Sequence, residues 1–207
     1  MPIELVEASD LHHAMLFELA YARGEQMLEG TAIADWSACL TASVQRQKRY
    51  FDARTPEFLS EADTLVAEWV GKNMAQMLWE IETKASEGRL IRSPSIPGYQ
   101  WIANGEGDFS VGSNIIEIKC TNRNFGSADY RQILMYWLLS YAAAIESDSS
   151  EWQVGILLNP RLNHFVRISF DEIVSVTAAG NSKVEVLELF SSVVGDEALA
   201  LLSEFRL

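Results

Sequence analysis

The clearest structural pattern in the chain lies at residues 105–136, GEGDFSVGSNIIEIKCTNRNFGSADYRQILMY. It contains two short apolar-rich runs joined by Gly112 and Ser113, and then a longer run in which apolar residues recur at helical spacing. Glycine accepts a positive φ, so its place at the first central position of a two-residue loop indicates a type II′ turn. The stretch therefore predicts a β-hairpin followed by a helix.

The turn also determines which hairpin residues face each other. If Val111 pairs with Asn114, then Asp108 lies opposite Glu117, because paired positions keep a constant sum. Side chains alternate between the two faces of a strand, so Asp108, Glu117 and Lys119 share one face. The apolar residues on the other face predict that it packs into the core: Phe109, Val111, Ile116 and Ile118.

Two carboxylates that face each other across neighbouring strands repel, and a divalent cation would compensate them. Their hard oxygen atoms suit Mg²⁺ or Mn²⁺, and Mg²⁺ usually leaves positions open for water and phosphate. Lys119 is a nearby positive charge that can orient a water or neutralise charge developing on phosphate. The candidate metal ligands are Asp108, Glu117 and the backbone carbonyl of Ile118.

The order of these residues resembles the PD-(D/E)XK nuclease superfamily, specifically its RecB-like branch, in which D…(D/E)xK is followed by QxxxY. Here the pattern is Asp108, then Glu117-Ile118-Lys119, then Gln132 and Tyr136 on the next helix. The resemblance covers roughly residues 88–160, about a third of the chain. The Glu-x-Lys triplet alone is a common sequence, and the hairpin register and the QxxxY helix add the specificity.

The resemblance implies an α/β, restriction-endonuclease-like fold with a mixed central sheet flanked by helices. It implies that the carboxylates bind one or two Mg²⁺ or Mn²⁺ ions and that the lysine helps to activate the attacking water. The implied activity is hydrolysis of DNA phosphodiester bonds in repair, recombination, restriction or phage defence. The residues that it assigns to the active site are Asp108, Glu117, Lys119, Gln132 and Tyr136.

The helix before the hairpin departs from the RecB-like pattern. In such proteins this helix often begins G-x-x-x-H, and the histidine is an additional metal ligand. Here Ala75 stands four residues after Gly71, so a histidine-assisted exonuclease site is not implied. Glu68 or Glu80 on the same helix is a candidate for a further carboxylate ligand, and Glu106 is another.

The net charge of −13, from 16 Lys and Arg and 29 Asp and Glu, constrains a DNA-binding function. Phosphate binding draws on basic residues, and an acidic chain repels DNA. We therefore expect a local basic surface, or a protein partner or homo-oligomer that supplies the grip on DNA. Two candidate surfaces, each of which can equally be a solvated helix face, are Arg46, Lys48, Arg49 and Arg54 with Tyr50 and Phe51, and the pair Arg123 and Arg131.

Three other interpretations remain open at the level of sequence. The hairpin could be a solvated face with an ordinary Glu/Lys pair. The chain could be a non-catalytic subunit of the same fold that binds partner proteins. It could also be an acidic interaction protein that mimics the charge of nucleic acid.

The rest of the sequence bounds the organisation of the chain. Its 207 residues predict a single domain, with a helical extension at 1–60, a nuclease core at 61–170 and a C-terminal scaffold or partner surface at 171–207. No apolar run reaches about 18 residues, and no export signal is evident, so we expect a cytoplasmic protein without a membrane span. Cys39 and Cys120 are too few for a disulfide framework. His12 and His13 are adjacent and predict no zinc site.

Local patterns also predict where the elements lie. The expected helices are 9–53 with a break at Gly30, 61–86, 128–146 and a short one at 196–205. The expected strands outside the hairpin are 89–91, 98–102, 152–158 and 164–169. The expected helix N-caps are Ser9, Thr55 or Ser60 with Asp63, and Ser127.

Overall fold

The structure is a computed structural model that describes residues 3–48, 56–85, 87–147 and 149–204, and within these ranges it describes side chains from residue 4 to residue 195. Its helices are α1 (Ile3–Glu7), α2 (His13–Leu28), α3 (Trp36–Gln47), α4 (Glu61–Lys84), α5 (Ser127–Ser147), α6 (Phe170–Thr177) and α7 (Lys183–Glu204). Its strands are β1 (Leu90–Arg92), β2 (Ser95–Ile96), β3 (Gly105–Glu106), β4 (Phe109–Val111), β5 (Asn114–Ile118), β6 (Val154–Asn159) and β7 (His164–Ser169). No described helix is long and apolar enough to cross a membrane.

The chain divides into two compact units. The helical unit comprises Met1–Lys84, Lys119–Asn124 and Asn159–His164. The sheet unit comprises Ala85–Ile118, Phe125–Leu158 and Phe165–Leu207. The single domain expected from sequence, with its three segments, stays a prediction.

The core of the helical unit forms between α2 and α4. Both helices carry apolar residues at spacings of three and four, which places them on one face of each helix. Burial of these faces excludes water from the contact and supplies the main stabilisation of the unit. The residues that are fully buried there include Leu16, Leu19, Ala20, Val66 and Ala67.

Helix α4 begins at the second of the two predicted caps. Ser60 Oγ accepts from the backbone N–H of Asp63 at 3.2 Å, and the Asp63 carboxylate accepts from the N–H of Ser60 at 2.8 Å, which is a reciprocal capping box. Asp63 also accepts from Ser9 Oγ at 2.5 Å and from the N–H of Leu11 at 3.3 Å. Burial raises the pKa of Asp63, but these hydrogen bonds outweigh it and lower the pKa. The other predicted start, Thr55, lies outside the described residues.

Two predicted N-caps are wrong. Helix α2 begins at His13 rather than after Ser9, because its N-cap is His12, whose side chain accepts from the backbone N–H of Ala14 at 3.3 Å. Ser127 is the first residue of α5, and the Asp129 carboxylate accepts from the backbone N–H that precedes it, that of Gly126, at 2.7 Å. Both errors arise because several polar residues near each helix start can cap it.

The sheet unit contains a mixed five-stranded sheet in the order β1-β4-β5-β6-β7. Strand β4 is antiparallel to β1 and β5, and β5 is parallel to β6. Parallel neighbours need a long crossover connection, which α5 supplies. The expected α/β class, with helices and a mixed sheet, is therefore confirmed.

Helix α5 lies close against this sheet because β6 carries a glycine. A Cβ atom built on Gly155 would be 2.9 Å from Ile133 Cδ1 and 2.8 Å from Phe170 Cζ, closer than real Cβ contacts. Both neighbouring side chains are fully buried. The same core also contains Ile115, Trp137, Leu157 and Ile168.

The predicted strand at 98–102 is wrong, and the C-terminal helix is longer than expected. Gln100 has a φ of 52°, which a strand does not permit, and Tyr99 and Ile102 form an isolated bridge. The segment instead contacts α7, where the Tyr99 hydroxyl lies 2.7 Å from Ser191 Oγ and Trp101 Nε1 donates to the carbonyl of Val194 at 2.9 Å. The short β2–β3 ribbon was not predicted.

Candidate active site

The hairpin has the register expected from its turn. Val111 pairs with Asn114, and Phe109 pairs with Ile116. Gly112 has a φ of 55°, as the first central residue of a type II′ turn requires. Continued by one pair, this register sets Asp108 across from Glu117, as the sequence predicts.

Asp108 directly precedes β4, and its carboxylate contacts the neighbouring strand. Asp108 Oδ2 accepts from the backbone N–H of Ile118 at 2.7 Å. Glu117 lies inside β5, where it is 6% exposed. The alternative of a solvated hairpin face does not fit this burial, because a carboxylate that is withdrawn from water needs compensation.

Helix α5 brings the QxxxY residues to Glu117. Gln132 Nε2 donates to Glu117 Oε1 at 2.8 Å and lies 2.8 Å from the Tyr136 hydroxyl. The Tyr136 hydroxyl also hydrogen-bonds the Glu117 carboxylate. Residues four apart on a helix are neighbours on its surface, so one face of α5 presents both side chains to one carboxylate.

The electrostatic state of Tyr136 reflects this arrangement. Burial raises the pKa of Tyr136 to about 12, and the negative charges of Glu117 and Asp108 act in the same direction. The hydrogen bond with Gln132 partly opposes them. Tyr136 therefore stays a neutral phenol at physiological pH, and it reports the combined negative charge of both carboxylates.

We expect Tyr136 to titrate near pH 12 instead of at its ordinary pKa of 10.0. The folded state then holds a proton that the unfolded state has lost, so its contribution to stability is complete below pH 10 and is lost as the pH rises through 12. The tyrosinate absorbance of the wild type minus that of Tyr136→Phe measures the pKa directly. Glu117→Gln removes a negative charge and should lower it. An unchanged pKa in that variant would contradict the coupling.

Lys119 is the first residue after β5, and a buried asparagine holds the turn that follows it. The backbone N–H of Thr121 donates to the carbonyl of Lys119 at 3.0 Å. Asn159 is fully buried, and its Nδ2 donates to the carbonyl of Thr121 at 3.0 Å. Its Oδ1 accepts from the N–H groups of Arg161 and Leu162. Sequence reasoning missed Asn159, although a lone amide at the end of an apolar strand was a usable signal.

The two glutamates proposed as extra ligands on α4 have local partners within the helical unit. Glu68 binds Arg23 through two contacts, Nε to Oε2 at 2.6 Å and Nη2 to Oε1 at 3.2 Å. Glu80 Oε2 lies 3.6 Å from Lys84 Nζ at the surface. Glu106 is exposed in β3. The structure gives Glu68 a structural partner, and a metal role for these three residues stays a prediction.

The first expected basic surface is partly neutralised. Arg46 binds Glu18 at 2.8 Å and Glu25 at 2.9 Å, and its guanidinium lies over the ring of Tyr21. Lys48 is exposed, while Arg49, Arg54, Tyr50 and Phe51 lie outside the described residues. In the second pair, Arg123 donates to the carbonyl of Asn124, and Arg131 is exposed on α5 beside Gln132.

The residues present suit a small oxygen-ligated cation. Within the described part of the chain, no three His, Cys, Asp or Glu side chains form a metal-binding group. The expected ligands are two carboxylates and the Ile118 carbonyl, and Mg²⁺ commonly completes such a set with water. Asp108, which directly precedes β4, and Glu117 on the neighbouring strand β5 provide hard oxygen donors, which fits Mg²⁺ or Mn²⁺.

In comparisons with known proteins, no family model, curated protein or solved structure matched this chain. The functional interpretation therefore rests on the residues themselves.

Proposed function

We propose that the protein is a metal-dependent nuclease that hydrolyses DNA phosphodiester bonds. The observation that carries the proposal is the hydrogen-bonded set of Glu117, Gln132 and Tyr136. The negative charge of Asp108 also raises the pKa of the Tyr136 phenol. If the motif had occurred by chance, we would not expect its glutamine and tyrosine to form a hydrogen-bonded set with its glutamate. This supports membership of the RecB-like branch of the PD-(D/E)XK superfamily and its restriction-endonuclease-like fold.

Each residue of the set then has a chemical task. Asp108, Glu117 and the Ile118 carbonyl would hold Mg²⁺ or Mn²⁺, which supplies Lewis-acid activation of water and phosphate. Gln132 fixes the orientation of the Glu117 carboxylate through its amide. Tyr136 remains protonated and donates to the same carboxylate. Lys119 positions the attacking water and neutralises charge that develops on the phosphate.

The acidic balance of the chain shapes the biological setting that we propose. A net charge of −13 opposes unaided DNA binding, and Arg46 is already paired with two glutamates. We therefore place the activity within a complex or homo-oligomer in the cytoplasm, in repair, recombination, restriction or phage defence. The same charge favours a second candidate, an acidic interaction protein or a non-catalytic subunit of this fold.

A cleavage assay tests the nuclease. The wild type, Lys119→Ala and a control, Lys84→Ala, are compared with Mn²⁺ and Mg²⁺ on linear, circular, single-stranded and double-stranded DNA. Lys84 is 74% exposed at the end of α4, so its loss should leave cleavage unchanged. We expect cutting that disappears in Lys119→Ala alone.

Two other results would contradict the proposal. A folded Lys119→Ala protein that cuts as fast as the wild type would show that the assigned site is wrong. A wild type that cuts none of these substrates, with or without candidate partners, would favour the non-catalytic subunit or the acidic interaction protein.

A further inference from the structure

The helical unit contains a cavity of about 500 Å³ that the proposed nuclease site does not use. It lies between α4 and the segment that connects α2 to α3, and its volume is typical of small-molecule sites. Its lining includes Arg23, Thr31 and Ala32 from α2 and its connection, and Lys72, Gln76 and Trp79 from α4.

The inner wall of the cavity is held by the buried Arg23, which is 2% exposed. Its Nη1 donates to the carbonyl of Thr31 at 3.0 Å, and its Nη2 donates to the carbonyl of Ala32 at 3.1 Å. Glu68, which also lines the cavity, binds the same guanidinium. These charges cancel, and the contacts fix the connecting segment in place against α4.

The outer wall presents a cation, an amide and an indole on one face of α4. Lys72, Gln76 and Trp79 are spaced by four and three residues, so they form one row along the helix, with Gln76 between Lys72 and Trp79. Trp79 is 47% exposed. Across the described residues, Lys72 has no carboxylate within ion-pair distance and Trp79 Nε1 has no acceptor. The uncompensated charge of the lining is thus the ammonium of Lys72.

We propose that this cavity binds one nucleotide unit, with its base stacked on Trp79 and its phosphate at Lys72. Proteins hold single nucleic-acid strands with aromatic side chains that stack on bases and with cations that contact the phosphates. Gln76 contributes an amide that can both donate to and accept from a base edge. The inference rests on the proposed function, and the shared ligand chemistry is a planar base joined to a phosphate, either free or within a single strand.

The test is a binding titration in EDTA, where no cleavage can occur. A fluorescent oligodeoxythymidine is titrated with the wild type, Trp79→Leu, Lys72→Gln and Trp69→Leu, and unlabelled thymidine monophosphate serves as competitor. Trp69 is the matched control, because it is also 47% exposed on α4 but does not line the cavity. Thermal unfolding verifies that each variant is folded.

We expect Trp79→Leu to weaken binding about tenfold, within the range for loss of one stacked base. Lys72→Gln should reduce the slope of the logarithm of the binding constant against the logarithm of the salt concentration by about one. Trp69→Leu should bind like the wild type. If thymidine monophosphate displaces the labelled oligonucleotide, the ligand is a free nucleotide. If it does not displace the oligonucleotide, the ligand is a single strand. Equal binding by Trp79→Leu and the wild type, or an equal loss in Trp69→Leu, would overturn the proposal.

The binding titration and the cleavage assay test the two proposals independently. A protein that binds the oligonucleotide through Trp79 but never cuts DNA keeps the cavity assignment and loses the nuclease assignment. A protein that cuts DNA but binds the oligonucleotide without Trp79 keeps the nuclease and loses the cavity assignment.

Discussion

Glu117→Gln should reduce metal-dependent DNA cleavage by more than about a hundredfold and leave the protein folded. Mutation of residues that only support metal ligands typically lowers metal affinity or activity by about 10–100-fold. Loss of the charge of a ligand itself should lower activity further. The amide keeps an oxygen that accepts from Gln132, and its shape matches that of the glutamate. The variant therefore removes the charge and preserves the packing of α5 on β5.

The measurement is kcat/KM with Mn²⁺ for the wild type, Glu117→Gln and Glu61→Gln, with circular dichroism to establish folding. Glu61 is exposed in the first turn of α4 and serves as the control carboxylate, so its variant should cut like the wild type. Tyr136→Phe removes one hydrogen bond to Glu117, and we expect a smaller loss from it. Wild-type activity in Glu117→Gln would show that this carboxylate binds no catalytic metal.

Glu68→Ala should lower the free energy of unfolding by about 3 kcal/mol, because it leaves a buried guanidinium without its carboxylate. Removal of one partner from a buried ion pair costs about 3–5 kcal/mol. Arg23 is 2% exposed and keeps its bonds to the Thr31 and Ala32 carbonyls. Because Glu68 is itself 44% exposed, we expect the lower end of this range.

Urea denaturation of Glu68→Ala and Glu80→Ala measures the difference. Glu80 makes a surface ion pair with Lys84 at 3.6 Å, and such pairs contribute about 0–1 kcal/mol. Glu80→Ala should therefore be close to the wild type. If the two variants lost equal stability, the Arg23–Glu68 pair would not stabilise the helical unit.

The hairpin and the helix that follows it could be predicted because local rules determine them. Gly112 at the first central turn position sets the register, and alternation along the strands then places Asp108 across from Glu117. The spacing of Gln132 and Tyr136 puts both on one face of α5. These inferences need no knowledge of distant residues, and the structure has the same register and the same helix.

Features that depend on contacts between distant residues could not be predicted. Asp63, which caps α4, also accepts from Ser9, more than fifty residues away in the sequence. The 98–102 segment reads as a strand, but its aromatic side chains contact α7. Asn159 and Thr121 are likewise remote in sequence, so the amide at the end of the apolar strand stands out locally but its partner does not.

The absence of a side chain at Gly155 allows α5 to pack close to the sheet, and α5 carries Gln132 and Tyr136 of the proposed active site. Ile133, which would collide with any Cβ at that position, is the neighbour of Gln132 in the chain. A larger residue at Gly155 would have to displace the buried side chains of Ile133 and Phe170, and a shift of α5 would change the contacts of Gln132 and Tyr136 with Glu117. In a saturation-mutagenesis map, this position on β6 should therefore tolerate substitution poorly, although it contributes no functional group.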